Sequence, residues 1–197
     1  ALANNVTINT QGIQEWTVPA DGTYTIEVWG ARGGGSGNYG KGARMKGDFN
    51  LSEDDVIKIV VGQMGGKYNS GSGGGGTFVV KKTGSGASDI TALIVAGGGG
   101  GVYTSSSISH QEDAVTSTSG QAGNQYSSGG TSGGGGTGST SNGASGGGGL
   151  TGNGTNGNWG TGGKAFINGA VGGNHSAYGV CIGGFGGGGG THGGTGG

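Results

Sequence analysis

Five tracts of four or five consecutive glycines, at 73–76, 97–101, 133–136, 146–149 and 186–190, set the terms on which this chain can fold. Glycine has no side chain to bury and loses more conformational freedom on ordering than any other residue. Its peptide groups still need hydrogen-bond partners once water is excluded. Packing backbone on backbone is the solution left. An extended left-handed helix with three residues per turn and ~3.1 Å rise makes no internal hydrogen bonds, so neighbouring rods can take its N–H and C=O groups. Cα–H···O contacts add a secondary attraction. At that rise a five-glycine tract extends roughly 15 Å. The tracts therefore predict a bundle of extended polyglycine II rods, including 133–136 and 186–190. Glycine supplies 60 of 197 residues and proline one, which excludes the Gly-X-Y triple helix of collagen.

The stretch LIVAGGGGGVY, residues 93–103, shows how such a rod can be anchored: an apolar strand leaves a sheet at Ala96 and continues as glycine. Other short β-branched or aromatic runs read as strands, namely IQEWTV, TYTIEVWGA, ARMKGDFNL, VIKIVVGQ, GTFVVKK and TALIVAG, separated by turn formers such as PADG and SEDD. Tyr24, Ile26 and Val28 fall on one face of their strand, and Thr23, Thr25, Glu27 and Trp29 on the other. VIKIVV and ALIVA are apolar on both faces, as strands covered from both sides would be. Trp16, Trp29 and Phe49 are expected to pack the sandwich. Tyr39, Tyr68, Tyr103, Tyr126 and Trp159 lie among glycines, where a ring can cap the lattice or stack on a sugar.

Of 19 charged residues, 18 lie at or before Asp113, and only Lys164 follows. The composition divides the chain into 1–11, an N-terminal strand or assembly arm; 12–113, mainly β-sandwich with the first glycine tracts; and 114–197, a glycine-rich lattice with some returning strands. The formal net charge is −1, with no basic stripe and no run of five like charges, so neither nucleic acid nor anionic lipid is expected as a partner. No apolar stretch approaches the ~18 residues of a membrane span, so no membrane insertion is expected. The opening Ala1-Leu2-Ala3 fits the small-residue pattern read by a signal peptidase, which points to secretion.

Four sequons, at Asn5, Asn50, Asn153 and Asn174, are candidates for N-glycosylation. Cys181 is the one cysteine and reads as a small buried hydrophobe. His110, His175 and His192 are scattered without metal-ligand spacing and read as exposed or turn histidines. Ser52, Glu53, Asp54 and Asp55 read as a solvated turn, with no EF-hand spacing after them. GxGxxG patterns arise about five times by chance at this glycine content, and GTGGKA lacks the hydroxyl residue of a phosphate loop. No nucleophile, base or cofactor motif stands out, so the chain reads as no enzyme, with no cofactor and no metal site.

In order, GIQEWTVPADGTYTIEVWGARGGGSG, GDFNLSEDDVIKIVVGQMG, GGGGTFVVKK, LIVAGGGGG and GGFGGGGG resemble the glycine-rich extracellular domain of the anaplastic lymphoma kinase and leukocyte tyrosine kinase receptors. They are similar too to glycine-rich domains of microbial surface proteins. The resemblance implies an all-β fold, a tumour necrosis factor-like β-sandwich with an inserted bundle of polyglycine II helices. The receptor members bind protein cytokines with this region, but the matching motifs are scaffold motifs, so no ligand-contact residue carries over; and since those domains carry several cysteines where this chain has one, receptor signalling does not carry over either.

The expectation is an extracellular or cell-surface structural protein that self-assembles as a homo-oligomer or filament. The alternatives are an adhesin binding a glycan or surface protein, and a cytokine-binding ectodomain fragment. NNVTINT alternates Val6 and Ile8 with polar residues. It reads as an assembly strand that fills a vacant sheet edge in its own subunit or the next, with Val6 and Ile8 as buried anchors.

Overall fold

A computed structural model describes residues 6–35, 39–67, 71–102, 113–122, 128–139, 143–175 and 181–190. The strands are β1 (Val6–Thr10), β2 (Ile13–Thr17), β3 (Gly22–Trp29), β4 (Arg44–Leu51), β5 (Val56–Val60), β6 (Thr77–Lys82) and β7 (Ile90–Ala96). All six runs expected as sandwich strands form, and β1 adds the N-terminal one. No α-helix occurs among the described residues; a single 3-10 turn spans Phe166–Asn168. The fold is all-β, and every strand pairing is antiparallel.

One sheet has five strands in the order β1-β2-β5-β6-β7; the other is the β3–β4 ribbon. The ribbon's inner face, with Tyr24, Ile26, Val28, Met45 and Phe49, packs on Trp16, Ile57, Ile59, Val79 and Ile94 of the larger sheet. The opposite face of that sheet carries Ile13, Val60, Phe78 and Val80, which Phe166, Ala170, Leu150 and Phe185 cover. The central strands are thus covered on both sides, as their uniformly apolar sequences require. Ile57, Val60 and Val80 are fully buried, and each such side chain contributes about 1.5–3 kcal/mol. A two-residue turn, Gln11-Gly12, joins β1 to β2. Gly12 is left-handed there (φ 78°), and a Cβ would strike the Phe185 ring.

The glycine segments continue the strand ladders without losing register. Beyond the pair Thr77 and Ala96 of β6 and β7, Gly74 N–H donates to Gly99 O (2.8 Å) and Gly71 N–H to Val102 O (3.0 Å). Beyond Val60 and Phe78 of β5 and β6, Gly75 N–H donates to Gln63 O (2.9 Å) and Ser72 N–H to Gly66 O (3.0 Å). In each case the two residue numbers keep the sum set by the strands, while the spacing of the bonds widens to three residues. Residues 71–76, all buried, show the full pattern. Gly71 and Gly74 donate to 99–102, Ser72 and Gly75 to 63–66, and Gly73 and Gly76 to Gly189 and Gly186. Successive N–H groups thus face three neighbours in rotation.

The tracts are not extended from end to end. Gly133 (φ 80°), Gly186 (φ 100°) and Gly187 (φ 85°) are left-handed, so the segments expected at 133–136 and 186–190 open with turn residues. Returning strands expected in 114–197 are not found among the described residues, where only the isolated bridges Ser119–Thr131 and Gly160–His175 occur. No β-branched run exists there, and neighbouring segments take the backbone groups at three-residue intervals: Thr161 N–H donates to Asn174 O and Lys164 N–H to Val171 O, both at 2.7 Å. No described helix is long and apolar enough to cross a membrane.

Candidate functional site

β1 is the outermost strand of the larger sheet. Val6 lies opposite Trp16, Thr7 opposite Glu15 and Thr10 opposite Ile13, with an irregularity between Thr7 and Thr10. Asn9 Nδ2 donates to Glu15 Oε2 at 3.0 Å. The arm therefore occupies the edge of its own chain's sheet. Its outer edge has no backbone partner among the described residues. Val6 is 37% exposed and Ile8 66%, so within one chain they are not the buried anchors expected. All five residues of β1 are exposed, Ile8 more fully than Val6.

Apolar side chains also stand out from the glycine segments. Val61, Met64, Val171 and Ile182 are each about half exposed. Their segments adjoin: Gly66 N–H donates to Ile182 O (2.7 Å) and Gly183 N–H to Gly173 O (2.8 Å).

The aromatic residues divide differently from expectation. Trp16 meets Tyr24 edge-on, with ring centroids 5.5 Å apart, and Phe49 packs against the core. Trp29 does not pack the sandwich. It is 55% exposed, because strand alternation puts it on the face of Thr23, Thr25 and Glu27, and alternation prevails over side-chain size. Arg44 pairs with Glu27, its Nε donating to Glu27 Oε1 at 2.7 Å, and its guanidinium lies 5.6 Å from the Trp29 ring centroid. The Arg32 guanidinium lies 4.2 Å from that of Tyr39. Trp159 is exposed. Tyr68, Tyr103 and Tyr126 lie outside the described residues, as do Asn5, His110 and His192.

Asn50, on β4, is exposed and accepts from Thr23 Oγ1 (2.8 Å). Asn153 is exposed, and its Oδ1 accepts from Ala165 N–H (2.8 Å) and Asn168 Nδ2 (2.9 Å). Asn174 is exposed, and its Oδ1 accepts from His175 N–H (2.8 Å). All three carry accessible side chains for glycan attachment.

Ser52–Asp55 forms the turn between β4 and β5, with Asp54 left-handed (φ 65°). Asp55 Oδ2 accepts from Lys81 Nζ (2.7 Å) and Ser52 N–H (2.9 Å), and these bonds, Lys81's first, hold its carboxyl below the usual carboxylate range. Cys181 is 1% exposed, and burial pushes its thiol up. His175 is buried at 4% exposure, against the exposed position expected, because its segment is bridged to Gly160. Among the described residues no three His, Cys, Asp or Glu side chains gather into a metal-binding group. A cavity of about 560 Å³ lies between β7 with its glycine extension and the segments 113–122 and 128–137. Its wall is mostly glycine, serine and threonine, and its carboxylate, Asp113, accepts from Lys41 N–H at 2.7 Å. No family model matches the chain.

Proposed function

We propose that the protein is an extracellular structural subunit that assembles with copies of itself at a cell surface or in a filament. The observation that carries this reading is the edge of β1, a strand whose outer backbone groups have no partner among the described residues and whose Val6 and Ile8 are exposed. An open edge is a template for a further strand, and a second chain that adds one there satisfies the ladder and covers both side chains. A head-to-tail contact of this kind propagates without closing.

In this reading the glycine segments are polyglycine II rods, supported by the three-residue spacing of their hydrogen bonds. The two sheets form a tumour necrosis factor-like sandwich, supported by the ribbon packed across the five-stranded sheet. A lattice joined by backbone hydrogen bonds gives stiffness without a large core, as a load-carrying subunit needs.

Deleting residues 1–10 tests the assembly reading. Light scattering and electron microscopy should show assemblies for the full chain and single folded subunits for the truncated one. Assembly by the truncated chain, or a full chain that stays monomeric at high concentration, refutes it.

A further inference from the structure

We propose that the outer face of the β3–β4 ribbon binds an acidic oligosaccharide, a chain of sugar rings bearing carboxylates. This site does not depend on β1 or on assembly. The ribbon's register sets Thr23 opposite Asn50, Thr25 opposite Asp48, Glu27 opposite Lys46 and Trp29 opposite Arg44, on the face turned from the core. Gly30 N–H donates to Ala43 O and Gly33 N–H to Gly40 O, both at 2.9 Å, which carries the same register past the strand ends. That continuation brings Arg32 over Tyr39. Two exposed rings, each beside a guanidinium, therefore stand at one end of a polar ladder.

Charge defines the occupant. Residues 28–47 hold Arg32, Lys41, Arg44 and Lys46, four of the chain's nine cations, and no acid. Among the described residues only Arg44 of these four makes an ion pair, with Glu27. In a chain with a formal net charge of −1, this is a local surplus of cations suited to an anionic ligand.

The neighbouring side chains decide which anion. An exposed aromatic face offers an apolar platform with a polar edge, which suits the C–H face of a sugar ring. A guanidinium fork holds a carboxylate in two parallel hydrogen bonds. Thr23, Thr25, Asp48 and Asn50 already exchange hydrogen bonds across the ribbon, Thr25 Oγ1 to Asp48 Oδ1 at 2.6 Å, and can pair with sugar hydroxyls. Because Glu27 and Asp48 lie on the same ladder, the ligand's carboxylates belong at its Arg32 and Arg44 end and its hydroxyls along the rest. From Thr23 to Trp29 the ladder covers about 20 Å at the usual strand rise, enough for several sugar rings.

The full chain is titrated with oligogalacturonate, with a neutral malto-oligosaccharide and a single-stranded oligonucleotide as comparisons, at low and high salt. Oligogalacturonate should bind, more weakly at high salt. Trp29→Ala and Arg32→Gln should each weaken binding about tenfold or more, and Lys82→Gln, on the other sheet, should leave it unchanged. Melting curves establish that each variant is folded; should Trp29→Ala fail, the exposed Arg32→Gln carries the test. Absence of oligogalacturonate binding, equal binding of the neutral sugar, tighter binding of the oligonucleotide, or affinity unchanged by Arg32→Gln each overturns the proposal.

Discussion

Alanine at Gly99 should destabilise the protein, while alanine at Gly97, two residues earlier in the same tract, should not. Gly99 is buried between neighbouring segments; its N–H donates to Ala31 O at 2.9 Å. An ideal Cβ there would lie 2.8 Å from the Lys41 carbonyl carbon and closer still to the carbonyl of Gly40. Restoring ordinary contact at 3.4 Å requires the segments to part by at least 0.6 Å, the difference of the two distances. The flanking bonds Gly40 N–H to Gly100 O (3.0 Å) and Ala43 N–H to Gly97 O (2.9 Å) then stretch to about 3.6 and 3.5 Å, beyond useful N–H···O range. The buried Gly40 and Ala43 N–H groups, left without partners, cost about 1–3 kcal/mol each. The stiffer unfolded chain returns up to about 1 kcal/mol. The net loss is about 3 kcal/mol, or a fall in melting temperature of about 6–12 °C for a chain of this length. Gly97 is exposed, and its Cβ would meet only the Ala114 Cβ at an ordinary 3.7 Å. Calorimetric melting of both variants decides the matter. Equal melting temperatures for Gly99→Ala and wild type, or equal losses in both variants, would show that close backbone packing does not hold the tract.

Two further outcomes follow from the titratable groups. Asp55 has a depressed pKa when folded, so its contribution to stability is present above the unfolded value and is lost as pH falls through the folded one. The gap in urea midpoint between wild type and Asp55→Asn should therefore close on acidification below about pH 4, and a gap that persists in acid contradicts the Lys81 and Ser52 bonds as its cause. Cys181, buried with a raised pKa, should not react with a disulfide reagent in the native protein and should react fully in denaturant; fast native labelling refutes its burial.

The strands were legible because their residues carry the signal locally: β-branched runs bounded by PADG, SEDD and glycine. Backbone pairing between the glycine segments was legible as a kind of order, since glycine tracts leave no other means of it. Which segment pairs with which was not legible, because identical glycines carry no address. The address comes from the strands, whose register runs on into the glycine segments. Trp29 was misplaced by its size although alternation had already set it outside. The basic face went unseen because its cations stand at 32, 41, 44 and 46, apart in sequence until the ribbon folds them together.

The rotation of partners along residues 71–76 also limits how such a chain can change in length. Removing one glycine turns every later peptide by a third of a revolution, so that each N–H faces the wrong neighbour. Removing three returns each to its own. Insertions and deletions within the central tract should therefore be tolerated by the triplet, as in a reading frame, although the constraint here is written in hydrogen bonds and not in codons.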